Sequence, residues 1–296
     1  MSRVVHIKSG RMMVVSDIQG NKRDFDRIIQ IYHLLKQHKK IEYLLICGDL
    51  VHGYPGYEDE SFDLLNSIIK LRKSDKNIIH LMGNHELAHV LHWNLKKGMI
   101  DFTTNLEEKI KSHRSNYWDY LSELPFAVTT ENGIFINHTG PSKALGGVKD
   151  PIYDLYLSVY KPHLWYQNLN FYKDFKMNQS LKNTFDAEFG MKIKEKPEGY
   201  LTWEVFMNKN EYEYKKKYPK VIDTFLENMS NIYPVKLLIS SHIEESEGYK
   251  IVSSKHFRVC TSYGANDDED KKYLYLDTQT NFESAQDLIS RLRPLW

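Results

Sequence analysis

The stretch MMVVSDIQGNKRDFDRIIQIYHLLKQHKKIEYLLICGD, residues 12–49, decides the fold. Its outer parts, residues 11–16 and Tyr43–Cys47, are short apolar runs that read as buried strands. Between them Phe25, Ile28, Ile29, Tyr32 and Leu35 recur at steps of three and four, which predicts a helix over 22–38 with one apolar face. Asn21 stands where an N-cap is wanted. Each strand runs out into a polar turn, Ser16-Asp17 in one case and Gly48-Asp49 in the other.

The same grammar continues outward. Phe62, Leu65, Ile68 and Ile69 predict a helix over 62–71, and a third apolar run, Asn77–Met82, leads into Gly83-Asn84-His85. Strand, helix, strand, helix, strand is the pattern of a right-handed parallel sheet, and the spacing from Asp17 to Asp49 to Asn84 suits one crossover unit per step. Residues 104–123 read as helical. Phe126–Thr130 and Ile134–Asn137 flank Glu131-Asn132-Gly133, the signal of a hairpin. Strands are expected at Val235–Ser240, Tyr249–Ser253, Phe257–Thr261 and Tyr273–Leu276, with a helix near 282–292. Residues 141–232 differ in character, being rich in Lys, Tyr, Phe and Asn with helical stretches near 151–160, 200–213 and 219–231. They are expected to form a helical insertion or cap within one domain spanning 1–296.

Bulk properties bound the function classes. The chain has 296 residues, 41% hydrophobic and 27% charged, enough to bury a sizeable core. A net charge of +1 supplies no long-range field toward nucleic acid or a membrane surface, so no nucleic-acid or membrane partner is expected. No apolar run is long enough to cross a membrane, and MSRVVHIKSGRMMVV lacks the apolar segment of a signal peptide. Cys47 and Cys260 both sit in apolar runs and are expected as buried thiols. Together these point to a cytoplasmic chain.

Five segments leave apolar runs with metal-binding residue types: VVSDIQGN (14–21), LLICGDLVHG (44–53), IIHLMGNHE (78–86), IFINHTG (134–140) and LLISSHIEE (237–245). Alone, an Asp at a strand end is usually a turn residue and a single His is usually structural. Five together, Asp17, Asp49, Asn84, His138 and His242, are hard to explain as packing. Residues just past the carboxyl ends of strands can converge on one crevice. Carboxylate, amide and imidazole form a ligand set for two hard or borderline divalent ions. A pair of such ions about 3.5–4 Å apart can hold a hydroxide and a phosphoryl oxygen together. Asp49, following a Gly, is the natural bridging carboxylate.

The set resembles that of the calcineurin-like metallophosphoesterases, and within them the phosphoprotein (Ser/Thr) phosphatases and the symmetrical dinucleoside-tetraphosphate hydrolases. SDIQGN, CGDLVHG, GNHELAH, NHTGPS and SSHIEESEGYK occupy, in order, the places of that family's motifs over 12–90 and 134–262. The resemblance implies an α/β fold of two β-sheets sandwiched and flanked by helices. It also implies one metal on Asp17, Gln19 and Asp49, and a second on Asp49, Asn84, His138 and His242. Manganese is the expected ion, with iron, zinc or magnesium as alternatives. His85 would protonate the leaving oxygen, a task suited to an imidazole, and Glu86 would support the loop.

Three positions depart from the pattern. Gln19 stands where the family has His, offering a neutral, weaker ligand that favours harder ions. His52-Gly53 replaces an Asp-Arg pair that supports the catalytic His and clamps phosphate. A second phosphate-clamping Arg is missing, because no arginine occurs from Ser115 to Phe257. Lys143 is the expected substitute, followed by His163, and a lysine binds phosphate as a point charge. His52 and Tyr263 are further expected substrate contacts. Arg23 is expected either in a surface ion pair or near the site. His89 and His92, at helical spacing from His85, form either a histidine face near the site or a partly exposed structural face. The acidic run Asp267–Asp270 and the basic run Lys215–Lys217 read as solvated surface.

The expected activity is hydrolysis of a phosphate monoester, with a phosphoprotein or nucleotide as substrate. Hydrolysis of dinucleoside polyphosphates is the alternative enzyme, and a degenerate phosphatase kept as a binding module is the alternative of another class.

Overall fold

Met12, Val14, Leu45 and Cys47 alternate with Met13, Val15, Leu44 and Ile46, and all eight are buried. Since successive strand residues face opposite ways, such strands have protein on both faces. The computed structural model describes residues 4–54, 58–90, 93–97, 99–111, 114–141, 210–231 and 233–296. The expected helix at 151–160, Lys143, His163 and His92 lie outside the described residues.

One sheet is built on β2 (Arg11–Val15), β3 (Tyr43–Ile46) and β4 (Ile78–His80), three parallel neighbours. The predicted crossovers are helices α1 (Lys22–Gln37) and α2 (Ser61–Ser74). The Asn21 side chain caps α1 by accepting from the Asp24 N–H at 3.0 Å. The sheet is completed on its other side by β12 (Lys272–Asp277) and β13 (Leu292–Pro294), giving the order β13-β12-β2-β3-β4.

The second sheet has the order β1-β7-β8-β9-β11-β10. Its members are β1 (Val4–Ile7), β7 (Ala127–Thr130), β8 (Ile134–Asn137), β9 (Leu237–Ser240), β10 (Tyr249–Ser253) and β11 (His256–Val259). Strands β7 and β8 form the expected hairpin across Asn132-Gly133, while β8, β9 and β11 run parallel. A two-residue pair, β5 (Lys96–Lys97) with β6 (Ile100–Asp101), stands apart.

The two sheets stack face to face. Met12, Val14, Leu45 and Cys47 from the first share a cluster with Val128, Ile136, Ile239 and Phe257 from the second. The opposite faces meet helices: Met13, Val15, Leu44 and Ile46 join Phe25, Ile28, Leu65 and Ile68 of α1 and α2. On the far side, Phe135 of β8 meets Phe225 edge-on, ring centroids 5.2 Å apart. Phe225 belongs to α7 (Tyr218–Met229), which follows the short helix α6 (Asn210–Tyr214).

The remaining helices are α3 (Asn84–Val90), α4 (Phe102–Ile110) and α5 (Arg114–Ser122). The stretch 104–123, read as helical, thus holds most of α4 and all of α5. The segment expected as a helix near 282–292 is a 3₁₀ helix, Ala285–Arg291, opened by a capping box between Ser284 and Asp287. Among the described residues no helix is long and apolar enough to cross a membrane. Cys47 and Cys260 are buried and unpaired.

Candidate metal centre

Asp17, Asp49, Asn84, His138 and His242 follow the carboxyl ends of β2, β3, β4, β8 and β9. Three come from one sheet and two from the other. Asp49, His138 and His242 offer ligand atoms that all lie within 4.8 Å of one another. His138 Nε2 is 3.3 Å from Asp49 Oδ2. The outer atom of the Asn84 amide lies 3.0 Å from both His138 Nε2 and His242 Nδ1, and 3.1 and 3.2 Å from the two Asp49 oxygens.

The donor set fits a cation on two observations. Turned one way, the Asn84 amide donates N–H to these groups; turned the other, its oxygen faces only acceptors, which a positive ion would reconcile. Gln19 Oε1 is buried and meets no donor among the described residues. A buried polar atom without a partner is costly unless something else satisfies it.

Hydrogen bonds hold the candidate ligands in place. His138 Nδ1 lies 2.6 Å from the Cys47 carbonyl. Donating there would leave Nε2 of the neutral ring bare toward Asp49 and Asn84, the outer-shell arrangement that orients a metal-binding imidazole. The Asp17 carboxylate accepts from the His242 N–H at 3.3 Å. Glu86, fully buried, accepts backbone N–H groups of Asp49 (2.9 Å), Leu50 (2.9 Å) and Gly83 (3.0 Å), so the loop support expected of it is realised. The loops also bond each other, Gln19 N–H to Asp49 O and Gly20 N–H to Leu50 O, both at 2.9 Å. Gly48 and Gly83 let these loops approach closely. A Cβ on Gly83 would fall 2.3 Å from Asp49 Oδ1, and one on Gly48 2.8 Å from His138 Nδ1.

The backbone here is unusual. Asp17, Gln19, Asp49, His52 and His242 all have φ between 45° and 73°. Non-glycine residues rarely adopt this left-handed region, and strain of that kind gathers at functional sites.

The charges oppose one another. Burial pushes the Asp17 carboxyl up to about 7, with His138 opposing and Asp49 adding to the rise. Burial also works to raise Asp49, but His138 above all, with His85 and His242, holds it well below the usual carboxylate range. Burial depresses His138, and Asp49 more than reverses this, lifting it to about 9. The Glu86 carboxyl is raised to about 7 by burial and by Asp49.

His85 is buried beside the cluster, its Nε2 3.9 Å from Asp49 Oδ2, and its backbone N–H donates to Asp49 Oδ1 at 3.1 Å. Burial lowers its pKa despite the pull of Asp49. His52 is fully buried behind it, with one ring nitrogen on His85 and the other on His89. His89 is itself buried, which overturns the reading of a partly exposed face. Tyr263 stands at the site's edge: its N–H donates to Asp17 O at 2.8 Å, and its ring stacks on Tyr54 at 4.1 Å. Arg23 binds Asp268 through two N–H groups at 2.6 and 3.1 Å, the surface pairing weighed for it, and Lys215–Lys217 is exposed. Arg258 is buried between Glu211 and Glu245, so it is no phosphate clamp. Sequence reasoning did not find Glu107, which bonds His89 at 2.8 Å. Its helix carries no motif to flag it.

A family profile described as calcineurin-like phosphoesterase matches residues 10–269. The chain belongs to that family. By class the domain is a phosphoester hydrolase, and the candidate cluster suits a metal-dependent family. Over 85 residues the phosphoesterase is 28% identical to the uncharacterized metallophosphoesterase-like protein YydB of Bacillus subtilis (strain 168). That match covers 26% of this chain and only 18% of the relative. Among solved structures it is similar to a protein serine/threonine phosphatase from Saccharomyces cerevisiae (14% identity, 93% of this chain, 76% of that one, TM-score 0.51). It is also similar to a cold-active protein-tyrosine phosphatase of a psychrophilic Shewanella sp. (13% identity, 93% and 77%, TM-score 0.54). At these identities the likeness is one of fold.

Proposed function

We propose that this phosphoesterase hydrolyses phosphate monoesters, with a phosphoprotein as the first substrate class. The convergence of Asp49, Asn84, His138 and His242, with His85 just beyond Asp49, carries the reading. Asp17, Gln19 and Asp49 would hold one divalent ion, manganese being the first choice, and Asp49, Asn84, His138 and His242 a second. Bound there, such ions activate water and polarise the phosphoryl oxygen. The chain's own residues do the rest. Asp49 supplies the shared negative charge. His85 delivers a proton to the leaving oxygen. Tyr263 borders the substrate, and Lys143 takes the place of a clamping arginine.

A second reading, a nucleotide or dinucleoside polyphosphate as substrate, is favoured by the Tyr54–Tyr263 stack beside His85. Aromatic faces of this kind can receive a base. Turnover of phosphopeptides against diadenosine polyphosphates separates the two.

The deciding experiment uses metal-stripped protein titrated with Mn²⁺, assayed on p-nitrophenyl phosphate and on an alkyl phosphate. Asp49→Asn is expected to lose metal and turnover together. His85→Ala is expected to keep its metal and lose about 10²–10⁴ in turnover on the alkyl ester, the usual worth of a positioned acid. The aryl ester, whose leaving group needs little protonation, should suffer less. Metal binding without turnover of any ester would leave the binding-module reading in place.

A further inference from the structure

Behind His85 the interior holds a file of histidines with no obvious packing purpose. His52 Nδ1 lies 3.1 Å from His85 Nδ1, His52 Nε2 lies 2.7 Å from His89 Nε2, and His89 Nδ1 lies 2.8 Å from Glu107 Oε1. The three histidines are almost wholly buried, while the Glu107 side chain is 22% exposed. Phe102, on the same helix as Glu107, stacks on His52 with centroids 5.5 Å apart and walls the file off. We infer that His52, His89 and Glu107 are positioning residues, a hydrogen-bonded chain that fixes the His85 ring with Nε2 turned to Asp49. This rests on the proposed role of His85 as proton donor.

The direction follows from donor chemistry. A carboxylate only accepts, and a neutral imidazole has one N–H and one bare nitrogen. Glu107 therefore takes the Nδ1–H of His89. His89 Nε2 is then bare and accepts Nε2–H from His52. His52 Nδ1 is bare in turn and accepts Nδ1–H from His85. With the three rings neutral and Glu107 ionised, only this order avoids two bare nitrogens, or a bare nitrogen and a carboxylate, facing each other at hydrogen-bond distance. It leaves His85 Nε2 as the free end, 3.9 Å from Asp49 Oδ2, the nitrogen that must take up a proton from solvent before His85 can deliver it to a leaving oxygen. The carboxylate that orients the ring thus stands two imidazoles away, on α4, rather than at position 52.

The chain predicts how substitutions combine. Aspartate Oδ1 and histidine Nδ1 are both two bonds beyond Cβ, so His52→Asp keeps an acceptor for His85 while cutting the link to His89 and Glu107.

Two readouts test this. Ring ¹⁵N shifts of metal-free protein at pH 8 should show Nδ1–H at His85, Nε2–H at His52 and Nδ1–H at His89. An Nε2–H tautomer at His85 would overturn the inference. On the metal-loaded chain, Glu107→Gln should lower kcat on an alkyl phosphate about tenfold, at the low end for outer-shell partners, and on p-nitrophenyl phosphate about threefold at most. In a His52→Asp background, Glu107→Gln should have no further effect. Equal losses on both esters, or the same loss in that background, would mark Glu107 as merely structural and sink the chain. If His85→Ala slows the alkyl ester but Glu107→Gln does not, the chain fails and the acid role stands. If His85→Ala has no effect, the acid role itself has failed.

Discussion

His80 shows what burial does to one side chain of this protein. It ends β4, lies fully buried, and has Nδ1 2.8 Å from the Tyr120 hydroxyl. Burial, reinforced by Arg72, pulls its pKa down to about 3. An unfolded histidine titrates near about 6.5. Between those values the unfolded chain binds a proton that the native state refuses, so stability falls as pH falls through that window. One such proton is worth up to about 1.4 kcal/mol per pH unit. His80→Gln removes it, and urea unfolding between pH 6 and 4 should show a shallower loss of stability than the wild type. An unchanged slope would mean that His80 is protonated in the native state.

At the scale of elements, α7 is the support for the strands that carry His138 and His242. Phe225 is 1% exposed and meets Phe135 on β8. Phe225→Ala should cost about 3–5 kcal/mol, the usual range for truncating a core aromatic. Leu34, 54% exposed, should tolerate alanine within about 0.5 kcal/mol. Chemical denaturation of the two variants side by side checks both figures. The strands and helices with strong periodicity were legible in the chain: β2, β3 and β4, their crossover helices, the β7–β8 hairpin and β9. Strands β1 and β13 were not, because neither is an uninterrupted apolar run: His6 breaks β1, and Arg293 and Pro294 make up most of β13.

The candidate site divides in the same way. The convergence of its residues was legible because each candidate ligand follows an apolar run. The histidine file was half visible, in His89 at one turn from His85. Glu107 was not, since only tertiary contact brings α4 against α3.

On the scale of the whole molecule, the candidate centre joins the two sheets. Asp17, Asp49 and Asn84 belong to one and His138 and His242 to the other, so an ion held between them opposes separation of the layers. Any ligand that binds only the native state stabilises it, by about 2.7 kcal/mol at a hundred times its dissociation constant. Mn²⁺ is therefore expected to raise the melting temperature of metal-stripped protein, and a chelator to reverse the rise. Asp49→Asn should abolish the shift. A melting temperature indifferent to every divalent ion would count against the centre.

The five left-handed residues at the strand exits carry a consequence for anyone engineering this chain. Each is a non-glycine residue held where glycine would be at ease, at a cost of order 1–3 kcal/mol. A selection for thermal robustness alone would reward relaxing them, and Gln19→Gly or His242→Gly would be attractive early gains. Those gains would remove proposed ligands. Unsupervised improvement of this scaffold should therefore erode its chemistry first, and a library meant to harden it has to keep positions 17, 19, 49, 52 and 242 out of play.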